Sequence, residues 1–278
     1  MPGVMAFLLL GLFGVLATLE FASLTLPSLG GAWTNYLVMV LCSLAVTASC
    51  CVNTFLPADL RATSGGGLWL LCGLIGGSVL TIGGEMRSFG QPTQALPAHQ
   101  ATGRIAMTLM AMLYIGLPLG VLGLLRQSGS NPFGLWALLS VLVIPKVADS
   151  GAFFVGRTWG KRKLIPRLSP GKTVAGAVGG LGSGILASWL MCFVVGPYLF
   201  GLQPPLSWPG VVAYGILISA AAMAGDLAES MFKRDARIKD SGGWLPGLGG
   251  MLDVVDSVLA ASFAAYLFWH LIPGVPLN

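Results

Sequence analysis

VAGAVGGLGSGILASWLMCFVVGPY (residues 174–198) carries no charged side chain. A helix of about 20 apolar residues crosses the hydrocarbon core of a bilayer and satisfies its own backbone groups while doing so. This run is long enough for that. Seven further stretches obey the same rule, at 4–26, 33–54, 67–84, 105–125, 134–156, 210–226 and 251–272. The spacing predicts an all-α integral membrane protein, a polytopic helical bundle of about eight transmembrane helices. Composition agrees, because 55% of the 278 residues are hydrophobic and 9% are charged, where soluble domains carry about 25% charged residues. A water-soluble fold of this size is excluded.

Pro27, Pro57, Pro92, Pro97, Pro132, Pro166, Pro170, Pro204 and Pro205 fall between the stretches, where a residue without an N–H does least damage. Trp33, Trp69, Trp136, Trp208 and Trp269 lie near stretch ends and are expected to anchor at the membrane interface. Cys42, Cys50, Cys51, Cys72 and Cys192 sit inside apolar runs without zinc-site spacing, and are read as small core residues. Residues 1–19 hold no positively charged side chain and no clear cleavage site follows, so the first run is expected to be kept as a helix.

The net charge of +5 gathers in a few loops. Residues 85–104, 157–172 and 227–250 carry two, six and four Lys or Arg, and with eight spans these loops share one side, against Arg61 and Arg126 on the other. The positive-inside rule makes the rich side cytoplasmic and turns both termini outward. Nucleic acid is no partner on this evidence, since the basic residues follow membrane topology.

Ionisable residues at bilayer depth are functional candidates. Lys146 and Asp149 lie toward the cytoplasmic end of the fifth stretch, Asp226 closes the seventh, and Asp253 and Asp256 open the eighth. Asp226, Glu229, Ser230 and Lys233 recur at i, i+3, i+4 and i+7, along one face of a continuing helix. Clustered carboxylates need a cation between them, and hard oxygen ligands beside phosphate point to Mg²⁺. Lys172 in SPGKT (169–173), followed by Lys233, Arg234 and Lys239, would bind phosphate. Lys172 is expected at a helix start, where free N–H groups favour anions. SPGKT is no Walker A loop, because Pro166 stands where that loop needs glycine. Glycines 242, 243, 247, 249 and 250 would let backbone approach a ligand closely. The simplest chemistry is nucleotidyl or phosphoryl transfer involving a lipid. Against it, RTWGKRKLIPR (157–167) also reads as a topogenic charge run, and Lys146 with Asp149 as a structural pair within one helix.

GDLAESMFKRDARIKDSGGWLPGLGGMLDVVDS (225–257) resembles the signature of phosphatidate cytidylyltransferases, and ADSGAFFVGR (148–157) and SPGKT match two further blocks in the same order. The resemblance covers roughly the last 130 residues. It implies a homodimeric enzyme of the bacterial inner (plasma) membrane, its active site facing the cytoplasm, that joins CTP to phosphatidic acid and releases pyrophosphate. Carried over, Asp226 and Asp253 would be the metal ligands and, with Lys233 and Lys239, the catalytic residues. Asp149, Ser150, Lys172, Ser230, Arg234, Asp240 and Asp256 would line the nucleotide and phosphate site. Mg²⁺ is the implied cofactor, with a monovalent cation beside it left open. The whole chain, 1–278, reads as a single membrane domain, with N-terminal helices over 1–104 and catalytic helices and cytoplasmic loops over 134–272. Two positions depart from the family pattern: Leu248 replaces a histidine and Val254 an arginine. The phosphate of phosphatidic acid is already anionic near neutral pH, so losing a histidine is survivable, whereas losing Asp226 or Asp253 should abolish turnover.

Other readings use the same residues. A polyprenol or dolichol kinase or a CDP-archaeol synthase would share the metal and nucleotide groups, and a kinase would leave CDP. A CDP-alcohol phosphotransferase needs three residues between its last two aspartates, where Asp253 and Asp256 have two. A transporter would spread polar residues through the depth of several helices, and here they gather at one face. An inactive relative remains the last alternative.

Overall fold

The structure, a computed structural model, describes residues 2–30, 32–52, 66–88, 100–128, 131–238, 241–242 and 249–271. Its helices are α1 (Pro2–Thr25), α2 (Trp33–Cys51), α3 (Gly66–Ser88), α4 (Gln100–Gln127), α5 (Asn131–Trp159), α6 (Val174–Phe200), α7 (Trp208–Asp235) and α8 (Met251–Leu271). All eight are long and apolar enough to cross a membrane. Between α5 and α6 the chain forms a small antiparallel hairpin of β1 (Lys163–Ile165) and β2 (Ser169–Thr173), with Lys163 opposite Thr173 and Ile165 opposite Ser169. Thr173 then caps α6, its hydroxyl accepting from the Gly176 N–H at 3.0 Å.

Prolines also occur inside these helices. A π-helical turn at Met112–Gly116 in α4 precedes Pro118, and another at Met191–Val195 in α6 precedes Pro197. A widened turn suits a residue that cannot donate to the helical ladder. Pro145 interrupts the ladder of α5 one turn before Asp149.

Two compact units emerge, Met1–Leu124 with Ala236–Val254, and Leu125–Asp235 with Val255–Asn278. In the first, Cys42, Val46 and Met112 form a core against which Leu70, Leu74 and Leu109 pack. Arg104 lies within α4, buried, in an ion pair of 2.6 Å with Glu85 of α3. Asn35 Nδ2 donates to Glu85 Oε1 at 2.6 Å, and Arg104 Nη1 donates to the Leu29 carbonyl at 3.0 Å. Arg104, counted among the loop charges from the sequence, is therefore a buried helix residue instead. Its charge is matched inside the protein by Glu85.

In the second unit, α5, α6 and α7 pack through small residues. Gly176, Gly180 and Gly184 recur every four residues along the buried face of α6, the pattern that lets membrane helices approach backbone to backbone. A Cβ at Gly176 would stand 2.8 Å from the Ala152 carbonyl oxygen and 3.3 Å from the Gly156 Cα. Both are backbone atoms that cannot turn aside. Gly176→Val is expected to cost about 1–3 kcal/mol through overpacking, seen as a lower melting midpoint in detergent by tryptophan fluorescence.

Trp136 and Trp269 are fully buried, correcting their assignment as interfacial anchors. Their rings meet edge to face at 5.6 Å beside Phe133 and Tyr214, and Trp136 Nε1 donates to the Met191 carbonyl at 2.8 Å. That bond offsets the cost of burying the Trp136 N–H. Trp33 and Trp208 are exposed, as anchors should be. Four cysteines are buried, whereas Cys72 is exposed on α3. Exposed Leu80, Phe153, Phe154 and Val178 lie on helices, as lipid contact demands.

Candidate active site

Asp226 and Glu229 occupy successive turns of α7, and Asp256 lies in the second turn of α8. Each offers a carboxylate oxygen, and these three atoms lie within 4.8 Å of one another. Gly225 makes the meeting of the two helices close, since a Cβ there would come 2.5 Å from the Asp256 carbonyl oxygen and 2.8 Å from the Ala260 Cβ. The helix backbone of α8 thus passes directly over Gly225, and the adjoining Asp226 reaches the next acid. Asp256 and Glu229 are buried, while the Asp226 side chain is 34% exposed. The helix continues past Asp226, as the i, i+3, i+4, i+7 row requires. Nine further residues of α7 follow it, about 13 Å of helix.

Basic groups flank the acids. Lys172 Nζ, on β2, lies 2.6 Å from Asp226 Oδ2. Lys233 Nζ lies 3.2 Å from Glu229 Oε2, one turn along α7. On α5, Lys146 Nζ donates to Ser257 Oγ at 3.0 Å and stands 3.9 Å from Asp149 Oδ2. Asp149 feels the charges of both Asp226 and Lys172. Three carboxylates held this close, with oxygen the only donor type, suit a hard divalent cation such as Mg²⁺. The flanking lysines offset part of the acidic charge and present donors to a phosphate.

The structure thus brings together Asp226, Asp256, Lys172, Lys233 and Asp149 from the sequence-predicted set. Lys172 stands on a strand, one residue before the cap of α6, rather than on the helix itself. Ser230 is half-buried on α7. Ser150 is exposed, and its hydroxyl donates back to the Lys146 carbonyl at 2.8 Å. Arg234 is exposed, with Nε 3.5 Å from the Leu168 carbonyl oxygen, a distance too long for a strong bond. Lys239, Asp240 and Leu248 lie outside the described residues. Glu229 was visible as a member of the i, i+3 row but carried no assigned role.

Asp253 is placed differently from the triplet. Its Oδ2 accepts from the Ser241 N–H at 3.1 Å, the Ser241 hydroxyl at 2.8 Å and the Gly250 N–H at 2.8 Å. Gly249 has φ +88°, and a Cβ there would stand 2.8 Å from that same oxygen. The close approach allowed by this glycine is to the chain's own carboxylate. Val254 is half-buried in the first turn of α8.

A family model described as "Cytidylyltransferase family" matches residues 2–272. The chain is 39% identical over 156 residues to a phosphatidate cytidylyltransferase of Haemophilus influenzae, covering 55% of this chain and 53% of that protein. It is 39% identical over 167 residues to one of Brucella suis, 59% of this chain and 58% of that protein. Against one of Chlamydia muridarum the figures are 36% over 170 residues, 59% and 54%. The chain spans about half the length of the curated relatives it matches.

Proposed function

The chain belongs to the cytidylyltransferase family, and on that premise we propose that it condenses CTP with phosphatidic acid to give CDP-diacylglycerol and pyrophosphate. The observation that carries this reading is the triplet of Asp226, Glu229 and Asp256 with Lys172 and Lys233 paired into it. In the reaction, a phosphate oxygen of phosphatidic acid attacks the α-phosphorus of CTP. A new P–O bond forms there, the bond from that phosphorus to the bridging oxygen breaks, and pyrophosphate leaves with the electron pair. The attacking oxygen is anionic at neutral pH, so no side chain has to remove a proton from it.

Asp226, Glu229 and Asp256 would hold a divalent cation, Mg²⁺ by the chemistry of the donors. When bound, it would neutralise charge on the phosphate oxygens. Lys172 and Lys233 bind and orient phosphate oxygens from the two sides on which they flank the acids, lowering the barrier by positioning and fixed positive charge. Lys146 holds Ser257, the neighbour of Asp256, and so steadies α8 at that acid. The names of the relatives and the family membership support these substrates. The remaining parts of the proposal are a bacterial inner-membrane location, a site facing the cytoplasm and a homodimeric enzyme. The first two draw support from the basic loops beside the acid-bearing helices; the dimer rests on the family resemblance.

Pyrophosphate release by the purified protein in detergent tests the reading. It is expected only when CTP, Mg²⁺ and phosphatidic acid are all present, together with a CDP-lipid product. Release of CDP instead would indicate a lipid kinase. Nucleotide binding without any release would indicate an inactive relative.

A further inference from the structure

Glu20 lies in α1, is 4% exposed and takes no part in the carboxylate triplet. Its two oxygens close the N-terminus of α8: Oε1 accepts from the Met251 N–H at 2.8 Å and Oε2 from the Leu252 N–H at 2.7 Å. These are the first two helical N–H groups, which no carbonyl of their own helix can reach. A side chain on the preceding residue ordinarily serves one N–H of the first turn, and that residue is Gly250, which has none. Asp253 supplies the reciprocal half of such a cap by accepting from the Gly250 N–H at 2.8 Å. Glu20, more than two hundred residues earlier in the chain, supplies the other half. The Ser241 hydroxyl sits between the two acids, 2.8 Å from Asp253 Oδ2 and 3.3 Å from Glu20 Oε2. The glycines of this segment are shaped to Glu20. A Cβ at Gly242 would stand 2.7 Å from its Oε1, and one at Gly250 would stand 2.5 Å from its Oε2.

A buried acid within a membrane-spanning helix is costly, and a serine at a cap position would satisfy a helix end more cheaply. The charge buys something a neutral cap does not: two short charge-assisted bonds that fix the first turn of α8 against α1. That turn carries Asp253, and Asp256 follows one turn further along the same helix. We propose that Glu20 is a positioning residue for the cytidylyl transfer, a cap supplied from α1 that sets the orientation in which α8 presents its aspartates. The proposal rests on the function given above.

Glu20→Gln keeps the size of the side chain but leaves one acceptor for two donors. Three readouts apply to the folded variant in detergent: amide hydrogen exchange across residues 249–253, the Mg²⁺ concentration giving half-maximal pyrophosphate release, and Mn²⁺ affinity by electron paramagnetic resonance. Faster exchange is expected, with the half-saturating Mg²⁺ raised and Mn²⁺ affinity weakened by about 10- to 100-fold, the usual effect of losing a group that orients ligands. Faster exchange with unchanged Mg²⁺ and Mn²⁺ dependence would reduce Glu20 to a structural cap and overturn the proposal, as would unchanged exchange. Should Glu20→Gln fail to fold, Gly242→Ala displaces the carboxylate while keeping Glu20, and the same readouts decide. A wild-type protein that binds no Mn²⁺ and releases no pyrophosphate would instead sink the function on which the proposal stands.

Discussion

Asp226→Asn is expected to lower Mg²⁺-dependent pyrophosphate release by on the order of 10³-fold, the equivalent of several kcal/mol of charge stabilisation lost from the transition state. Asp226 is the member of the triplet that also meets a lysine, through Lys172 at 2.6 Å. The substitution therefore removes a metal-binding oxygen and the partner that holds Lys172 in place. Stability should change little, because losing the pair with Lys172, whose Nζ is buried, is offset by relief of the repulsion among three carboxylates whose oxygens lie within 4.8 Å of one another. A melting midpoint close to wild type, combined with the lost rate, would locate the defect in the chemistry. A variant that turns over at near wild-type rate would remove Asp226 from the site.

The second large effect is expected at Asp256. Asp256→Asn should reduce the rate by on the order of 10²-fold and raise the half-saturating Mg²⁺ by a similar factor, because the acid is buried and aimed into the triplet. Asp253→Asn makes the informative comparison. The family resemblance assigns Asp253 to the metal, yet its Oδ2 accepts three hydrogen bonds from Ser241 and Gly250. An amide nitrogen in that position would face three donors. Hydrogen exchange across residues 249–253 should therefore rise sharply in Asp253→Asn and stay unchanged in Asp256→Asn. Mg²⁺ dependence that shifts with Asp253→Asn and not with Asp256→Asn would return the ligand role to Asp253 and exclude Asp256 from it.

Several members of the candidate site are legible in the sequence. Asp226 and Glu229 share a helix face by spacing alone, and a helix geometry of 3.6 residues per turn guarantees it wherever the helix lies. Lys172 and Asp149 group with the acids as charged residues near one end of their apolar stretches, and the structure pairs Lys172 with Asp226 and Asp149 with Lys146. The tryptophan reading fails at two positions. Position near the end of an apolar run predicts an interfacial ring, but Trp136 and Trp269 are buried, meeting each other edge to face, with Trp269 also edge to face against Phe133. Arg104 misled for a related reason. A basic residue just outside an apolar run looks like a topogenic charge until a Glu85 from another helix neutralises it.

The amino-acid sequence by itself determined the class of fold and the eight segments long and apolar enough to cross a membrane. A bilayer imposes a length and a polarity on each segment, and both are properties of contiguous residues. The tertiary structure alone decided that Asp256 joins Asp226 and Glu229, that Gly225 must be small for it to do so, and that Glu20 closes the helix carrying Asp253. Those outcomes depend on which helix faces come together. One glycine looks like another along a chain until a second backbone leaves no room for a Cβ, as α8 does at Gly225.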